Sequence, residues 1–420
     1  MMTASAPSAA VAQQPPPPLR RNWRFQLLWI GATSTTLGVE AVDVAYPLLV
    51  LTLTGSPALA GLFGFVQAAV SVLLGLPIGR LVDRWNHRSM LIGAEAVRAL
   101  ATGSVALAIV LGHLTMGHLM AVAVVLGAGT AFGGPVRMLL VRAVVPPSQL
   151  TQALTQDEVR EGAAGLVGPA VGGSLYGVAR LLPFVACATT FTLSLICTLF
   201  VRIPPRQPEA GHGAVAPADG ESEGMFAGVL ALWRNPMLRG AIALIGTFYL
   251  VITAVTLTVV VTLRSQHVAA GLIGVALTGS AVGMLLGSLL VGRLHGRMTP
   301  GRLLLTVSGV VAGAVALLTV PLGPWWVFGC LLLATLTVPA LRVLIDIMIL
   351  RQVSEDRRGR TIVAVMTVLS VGPPLGTMAA GLLLQFTSPL WTIAALAAVQ
   401  AAVTLYGLGN SSVAQARWPE

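Results

Sequence analysis

Residues 79–88 read GRLVDRWNHR, set between two long apolar runs that carry almost no charge. Those ten residues hold Arg80, Arg84 and Arg88 together with Asp83 and His87. Between runs long enough to cross a bilayer, such a cluster is a tight loop at a membrane surface. Its positive sign says which surface.

The composition agrees. The 420 residues are 55% hydrophobic and only 10% charged, with a mean hydropathy of +0.85, whereas a soluble domain carries roughly 25% charged residues. Apolar runs of about 20 residues, the length that spans a hydrocarbon core, recur along the whole chain. The expected fold class is an all-α polytopic membrane protein with membrane lipid as its solvent. The net charge of +10 comes from arginine alone, without a single lysine. Arginines at membrane loops explain it, and no nucleic acid partner is called for. Cys187, Cys197 and Cys330 lie inside apolar runs without a CxxC pair and read as small buried hydrophobes. No metal site or cofactor is expected.

Twelve spans are expected. Residues 1–22, rich in Ala, Ser and Pro, lack the apolar core of a signal peptide and read as a disordered cytoplasmic tail. An N-terminal six-helix half covers 23–201, with spans near 24–53, 58–81, 89–111, 116–142, 151–178 and 181–201. A polar cytoplasmic linker with an interfacial helix covers 202–236. The C-terminal half covers 237–409, with spans near 238–263, 269–292, 302–320, 325–350, 360–386 and 389–409, and 410–420 is a second cytoplasmic tail. The loops on one side carry most arginines: Arg80, Arg84 and Arg88, then Arg142, Arg202, Arg206, Arg234 and Arg239. The series continues with Arg293, Arg297 and Arg302, then Arg351, Arg357, Arg358 and Arg360, whereas the opposite loops hold only Arg180 and Arg264. By the positive-inside rule both termini are cytoplasmic.

The halves repeat. IGRLVDRWNHRSML at 78–91 resembles VGRLHGRMTPGRLL at 291–304, a shift of about 213 residues, and GPAVGGSLYG at 168–177 resembles GPPLGTMAAG at 372–381. Two parallel six-helix halves are a transporter architecture.

At GRLVDRWNHR the chain resembles the major facilitator superfamily, whose signature between the second and third helices reads GxxxDRxGRR. Gly79, Asp83, Arg84 and Arg88 stand at signature positions, and Asn86 replaces a glycine as a residue that tolerates the left-handed conformation. The resemblance implies that Asp83 latches the cytoplasmic ends of the two halves. In the second copy Gly296 stands in its place, so the latch is one-sided. GPAVGG, with Gly168, Pro169, Gly172 and Gly173, is similar to the GPxxGG motif of drug–proton antiporters. A proline there bends the helix while the glycines admit a close neighbour.

Buried ionisable groups are the third signal. Glu40 and Asp43 lie near the middle of the first span, three residues apart and so near one face. A carboxylate at that depth costs roughly 2.5–3.5 kcal/mol on insertion scales, so it must face a cavity or a partner. They are the proton-coupling candidates, with a fixed ion pair to an arginine as the competing role. Glu95 and Arg98 are spaced to pair with each other. Asp157, Glu158, Arg160 and Glu161 open the fifth span, where acids suit the helix dipole. Arg137, Arg342 and Asp346 are candidates for gate ion pairs, and Phe63, Phe65, Gln67, Phe132, Met138, Phe248 and Tyr249 for the cavity lining.

These readings lead to a monomeric secondary carrier exporting bulky amphiphilic or weakly cationic molecules against proton entry, similar to bacterial multidrug and siderophore exporters. An uptake carrier or passive facilitator on the same fold is the alternative. A membrane sensor would need a recognition domain that the short linker and tails do not offer. There is no P-loop, HExxH or nucleophile elbow, so no enzyme activity is expected.

Overall fold

The computed structural model describes residues 18–75, 85–201, 236–352 and 365–410. Among them all regular structure is helical. The first half comprises α1 (Trp23–Thr54), α2 (Pro57–Gly75), α3 (His87–Leu111), α4 (Met116–Val144), α5 (Leu150–Val178) and α6 (Leu182–Phe200). The second comprises α7 (Pro236–Ser265), α8 (Ala270–Ser288), the short α9 (Val291–Arg297), α10 (Pro300–Leu317), α11 (Pro324–Thr335), α12 (Val338–Gln352), α13 (Gly372–Phe386) and α14 (Pro389–Gly409).

Eleven helical segments among the described residues are long and apolar enough to cross a membrane. The twelfth expected span is α5, which the four ionisable residues of its first half and its many glycines keep less apolar. It is nonetheless a full-length helix of 29 residues packed against α1, α6 and α8. The tenth span, expected as one helix, is α11 and α12 with a turn at Leu336 and Thr337. Pro339 brings no N–H for the carbonyl of Thr335, and the Thr335 hydroxyl turns outward to Ser280 O of α8 at 2.8 Å as well as to Leu331 O at 2.9 Å.

The same pairing builds both halves. In the first, α1 packs on α5 and α6, α2 on α4, and α3 on α4 and α6. In the second, α7 packs on α13 and α14, α8 on α11, and α10 on α11 and α14. Small residues let these helices close up: Gly31 and Gly38 of α1 face Ser194 and Thr190 of α6. Apolar side chains then point outward as well as inward. Leu100, Val178 and Phe386 are among the most exposed large apolar residues, as expected where the solvent is hydrocarbon. Trp325 and Trp391 are exposed at the starts of α11 and α14, where indoles suit a headgroup layer.

Local caps explain two helix starts. Asn22 accepts from Phe25 N at 3.2 Å and donates to Val144 O at 2.8 Å, tying the start of α1 to the end of α4. Asn86 does not take up the left-handed conformation expected from the signature. Its φ of −68° is extended, and its side chain caps α3 by accepting from Arg88 N at 3.0 Å and Ser89 N at 3.4 Å. Asparagine supplies an N-cap oxygen that glycine lacks, and the cap decides the conformation. The left-handed glycines stand elsewhere, Gly55 closing α1 and Gly112 closing α3.

Candidate functional site

Among the described residues the halves pack chiefly through α2 on α13 and α5 on α8, with α1 also touching α7. Both main pairs are tightest near the α1–α2 turn and open away from it. A Cβ built on Gly61 would lie 2.6 Å from Thr377 O, one on Gly64 would lie 3.4 Å from Thr377 Cβ, and one on Gly75 would meet nothing within 4 Å among the described residues. Along α5, a Cβ on Gly173 would press on Ala270 O and Gly274, one on Gly165 would clear Ala281 Cβ by 3.9 Å, and one on Gly162 would meet nothing within 4 Å among the described residues. The halves therefore meet at one end of the bundle and diverge toward the other. Across the closed end Arg264 of α7 donates to Leu48 O of α1 at 2.9 Å, and Ser56 donates to Gln385 Oε1 at 2.7 Å.

GPAVGG sits at this junction and presents two faces. Gly168 and Gly172 abut Glu40 and Ala41 of α1, while Pro169 and Gly173 abut Gly274 and Ala270 of α8. Helix α5 runs unbroken through Pro169. The related GPPLG packs Gly372 and Gly376 on Leu250 of α7 in the same way. Residue 249, beside that contact, is a tyrosine where α1 has Glu40, so the carboxylate belongs to one half only.

Glu40 is half-buried, and Asp43 is exposed between the buried Val42 and Val44. Helix α1 is ringed by α2, α4, α5, α6 and α7. Neither acid forms an ion pair within 4 Å among the described residues.

The pairing of Glu95 differs from expectation. Glu95 is fully buried, and its Oε1 accepts from Arg137 of α4 at 2.8 Å, Thr35 of α1 at 3.1 Å and Ser194 of α6 at 3.2 Å. Arg98, one turn along α3, makes no ion pair with it. The Arg98 guanidinium lies 4.3 Å over the Phe191 ring, and its stem runs along Gly129 of α4. Donors from three neighbouring helices already saturate that carboxylate oxygen. Arg137 is thus held inside the first half rather than at a gate between halves. Thr35 and Ser194 were not singled out in the sequence, because hydroxyls in apolar helices usually bond their own backbone.

Arg160, also buried, donates to Ala32 O at 2.9 Å and to Thr36, and pairs with Asp157 at 2.7 Å and Glu161 at 3.5 Å. Arg160, Asp157 and Glu161, with Arg137, Met138 and Trp29, line a cavity of about 280 Å³ between α1, α4 and α5. Of the expected lining residues Met138 faces it, whereas Phe63 stacks on Tyr46 at 4.6 Å and Phe248 is buried in the core. Arg342 of α12 reaches Glu158 of α5 at 3.8 Å, both well exposed, across the crevice. Arg88 donates to Thr198 O and Leu199 O, closing the C-terminus of α6 in its own half. Gly79, Asp83 and Arg84 lie outside the described residues, as does the side chain of Asp346. No group of three or more metal-ligating side chains occurs among the described residues.

The profile of the Major Facilitator Superfamily matches residues 28–266 and, again, 242–410. Macrolide efflux protein A of Streptococcus pyogenes is 28% identical over 235 residues, 54% of this chain and 56% of that protein. Its namesake in Enterococcus faecalis is 30% identical over 190 residues, 45% of this chain and 56% of that protein. The chain thus matches little more than half the length of these relatives. Among solved structures, a bacterial homologue of the lysosomal transporter Spinster, inward-facing and unoccupied, superposes with a TM-score of 0.71 at 17% identity, covering 96% of this chain and all of that one. A nucleoside transporter gives 0.70 at 12% identity, covering 92% and 98%. A bacterial homologue of the iron transporter ferroportin, inward-facing, gives 0.69 at 16%, covering 94% and 100%. These likenesses concern the fold. With both six-helix halves matched by the family's profile, the chain belongs to the Major Facilitator Superfamily and is a multi-pass membrane carrier, not an enzyme.

Proposed function

We propose that the chain exports small amphiphilic organic molecules by alternating access, driven by proton entry through Glu40 or Asp43. The observation that carries this reading is the seat of these two acids. Glu40 lies where GPAVGG clasps α1 on one face and the opposing half on the other, and Asp43, three residues on along α1, is exposed. A charge change there acts on the contact that rocking must break. The arginine bias puts both termini and the open end in the cytoplasm, so the shape supports an inward-facing state, with Asp83 as the cytoplasmic latch of the opposite state. The likeness to macrolide efflux proteins supports export, and the 280 Å³ cavity, with Trp29 and Met138 beside carboxylates, supports amphiphilic cargo.

Transport in inside-out vesicles under an imposed pH gradient tests the coupling. Flux is expected to follow the gradient and to lose it in Glu40→Gln or Asp43→Asn. Gradient-independent flux, unchanged in both variants, would instead favour a facilitator or uptake carrier, a reading that the shared fold with a nucleoside transporter keeps open.

A further inference from the structure

Among the buried charged residues described in the first half, Arg98 is left without a carboxylate partner. Glu95 is taken by Arg137, and Arg160 by Asp157 and Glu161. Arg98 is 5% exposed, yet no carboxylate among the described residues lies within 4 Å of it, and its Nε has no hydrogen-bond partner. An aromatic face compensates a buried guanidinium only in part. The chain has kept this charge where an apolar residue would fill the same space at lower cost.

Its surroundings say which anion it answers. The Thr35–Glu95 hydrogen bond fixes α1 against α3, and both helices run in the same direction. Arg98 is one turn beyond Glu95 and Asp43 about two turns beyond Thr35, so both lie on the same side of that bond along the two helices. The ionisable groups around it are Glu95 on its own helix, Asp43 and Tyr46 on α1, Cys187 on α6 and Arg137 on α4, and Asp43 in turn faces Glu40 and Arg98. Glu95 Oε2 and Arg98 Nε are both buried without a hydrogen-bond partner among the described residues.

We propose that Arg98 is the positioning residue of the coupling site: its guanidinium holds Asp43 when that carboxylate is ionised and releases it on protonation. The Glu95–Arg137 pair stays closed and gives Arg98 a fixed seat. This rests on the proposed coupling role of Asp43. Protonation removes one negative charge from the α1 side and leaves Arg98 over Phe191, so the attraction that draws the middle of α1 toward α3 is lost.

Carbodiimide labelling of Asp43, read by mass spectrometry across pH on the purified full-length protein, tests the idea without any substrate. Carbodiimides react with the protonated carboxyl, and an opposite charge nearby shifts such a midpoint by roughly 1–3 pH units. The labelling midpoint is therefore expected to rise by about one unit or more in Arg98→Gln and to return toward the native position in Arg98→Lys. An unmoved midpoint in Arg98→Gln overturns the role of Arg98 alone. An Asp43 that is never labelled in the native protein overturns the coupling role of Asp43 and this inference with it. If Arg98→Gln does not accumulate, hydrogen exchange of α3 puts the same question to Asp43→Asn. Native protection of α3 is expected to differ between acidic and alkaline pH, and the difference to vanish in the variant. Protection that is pH-independent, or equally pH-dependent in both proteins, counts against the proposal.

Discussion

Arg264, in the last turn of α7, donates to Leu48 O of α1 and so bonds the two halves across the closed end of the bundle. Leu48 O already accepts from the Thr52 hydroxyl, and Arg264 adds a charged donor. Hydrogen bonds with a charged partner contribute about 1.5–3 kcal/mol, or roughly tenfold and more in a conformational equilibrium. Removing it with Arg264→Leu is expected to lower the ratio of closed to open protein by about that factor. A Ser56→Cys, Gln385→Cys pair reports on it through its rate of cross-linking by a short bifunctional maleimide, since the native side chains touch at 2.7 Å and Cys187, Cys197 and Cys330 are buried. An unchanged rate in Arg264→Leu would mean that this contact does not hold the end shut.

The two faces of GPAVGG predict two different losses. A Cβ on Gly172 would collide with Ala41 O inside the first half, and one on Gly173 with Ala270 O of the other half. Overpacking of this sort costs typically 1–3 kcal/mol. Gly172→Ala is therefore expected to lower the unfolding temperature in detergent. Gly173→Ala is expected to spare it and to reduce cross-linking of the same closed-end cysteine pair. If both variants behave alike, the motif does not divide its work between the halves.

How much of this was legible beforehand depends on the range of the interaction. Arginine placement and the repeat expose the twelve-span plan, because both follow from each segment's own residues and the bilayer. The GPAVGG and Glu40 signals were legible for the same reason, as oddities inside apolar runs. The Glu95–Arg137 pair was not, because spacing along α3 offers Arg98 first, and only packing brings α4 close enough to compete. Asn86 looked like a stand-in for glycine in a turn, although its side chain makes it a better cap. Arg264 looked like a stray exception to the charge bias and is instead a contact between halves.

Glu95→Gln leaves Arg137 buried without its anion. Breaking a buried pair by removing one partner costs about 3–5 kcal/mol, whereas replacing both partners by apolar groups is often near neutral. Thermal unfolding is expected to show a large loss for Glu95→Gln and substantial recovery in the Glu95→Leu, Arg137→Met double variant. Additive losses in the double variant would contradict the pairing.

Arg342 and Glu158 are the opposite case. Both are 66% exposed at 3.8 Å, on α12 and α5 across the crevice. A pair that open to water contributes less than about 1 kcal/mol and is screened by salt. Arg342→Gln should therefore leave the unfolding temperature nearly unchanged. If the two side chains close over cargo, the effect belongs in transport instead. The variant is then expected to raise the apparent KM more than it lowers the maximal rate, and high salt should reproduce part of that change in the native protein. A variant with native KM at every ionic strength would remove this pair from the gate.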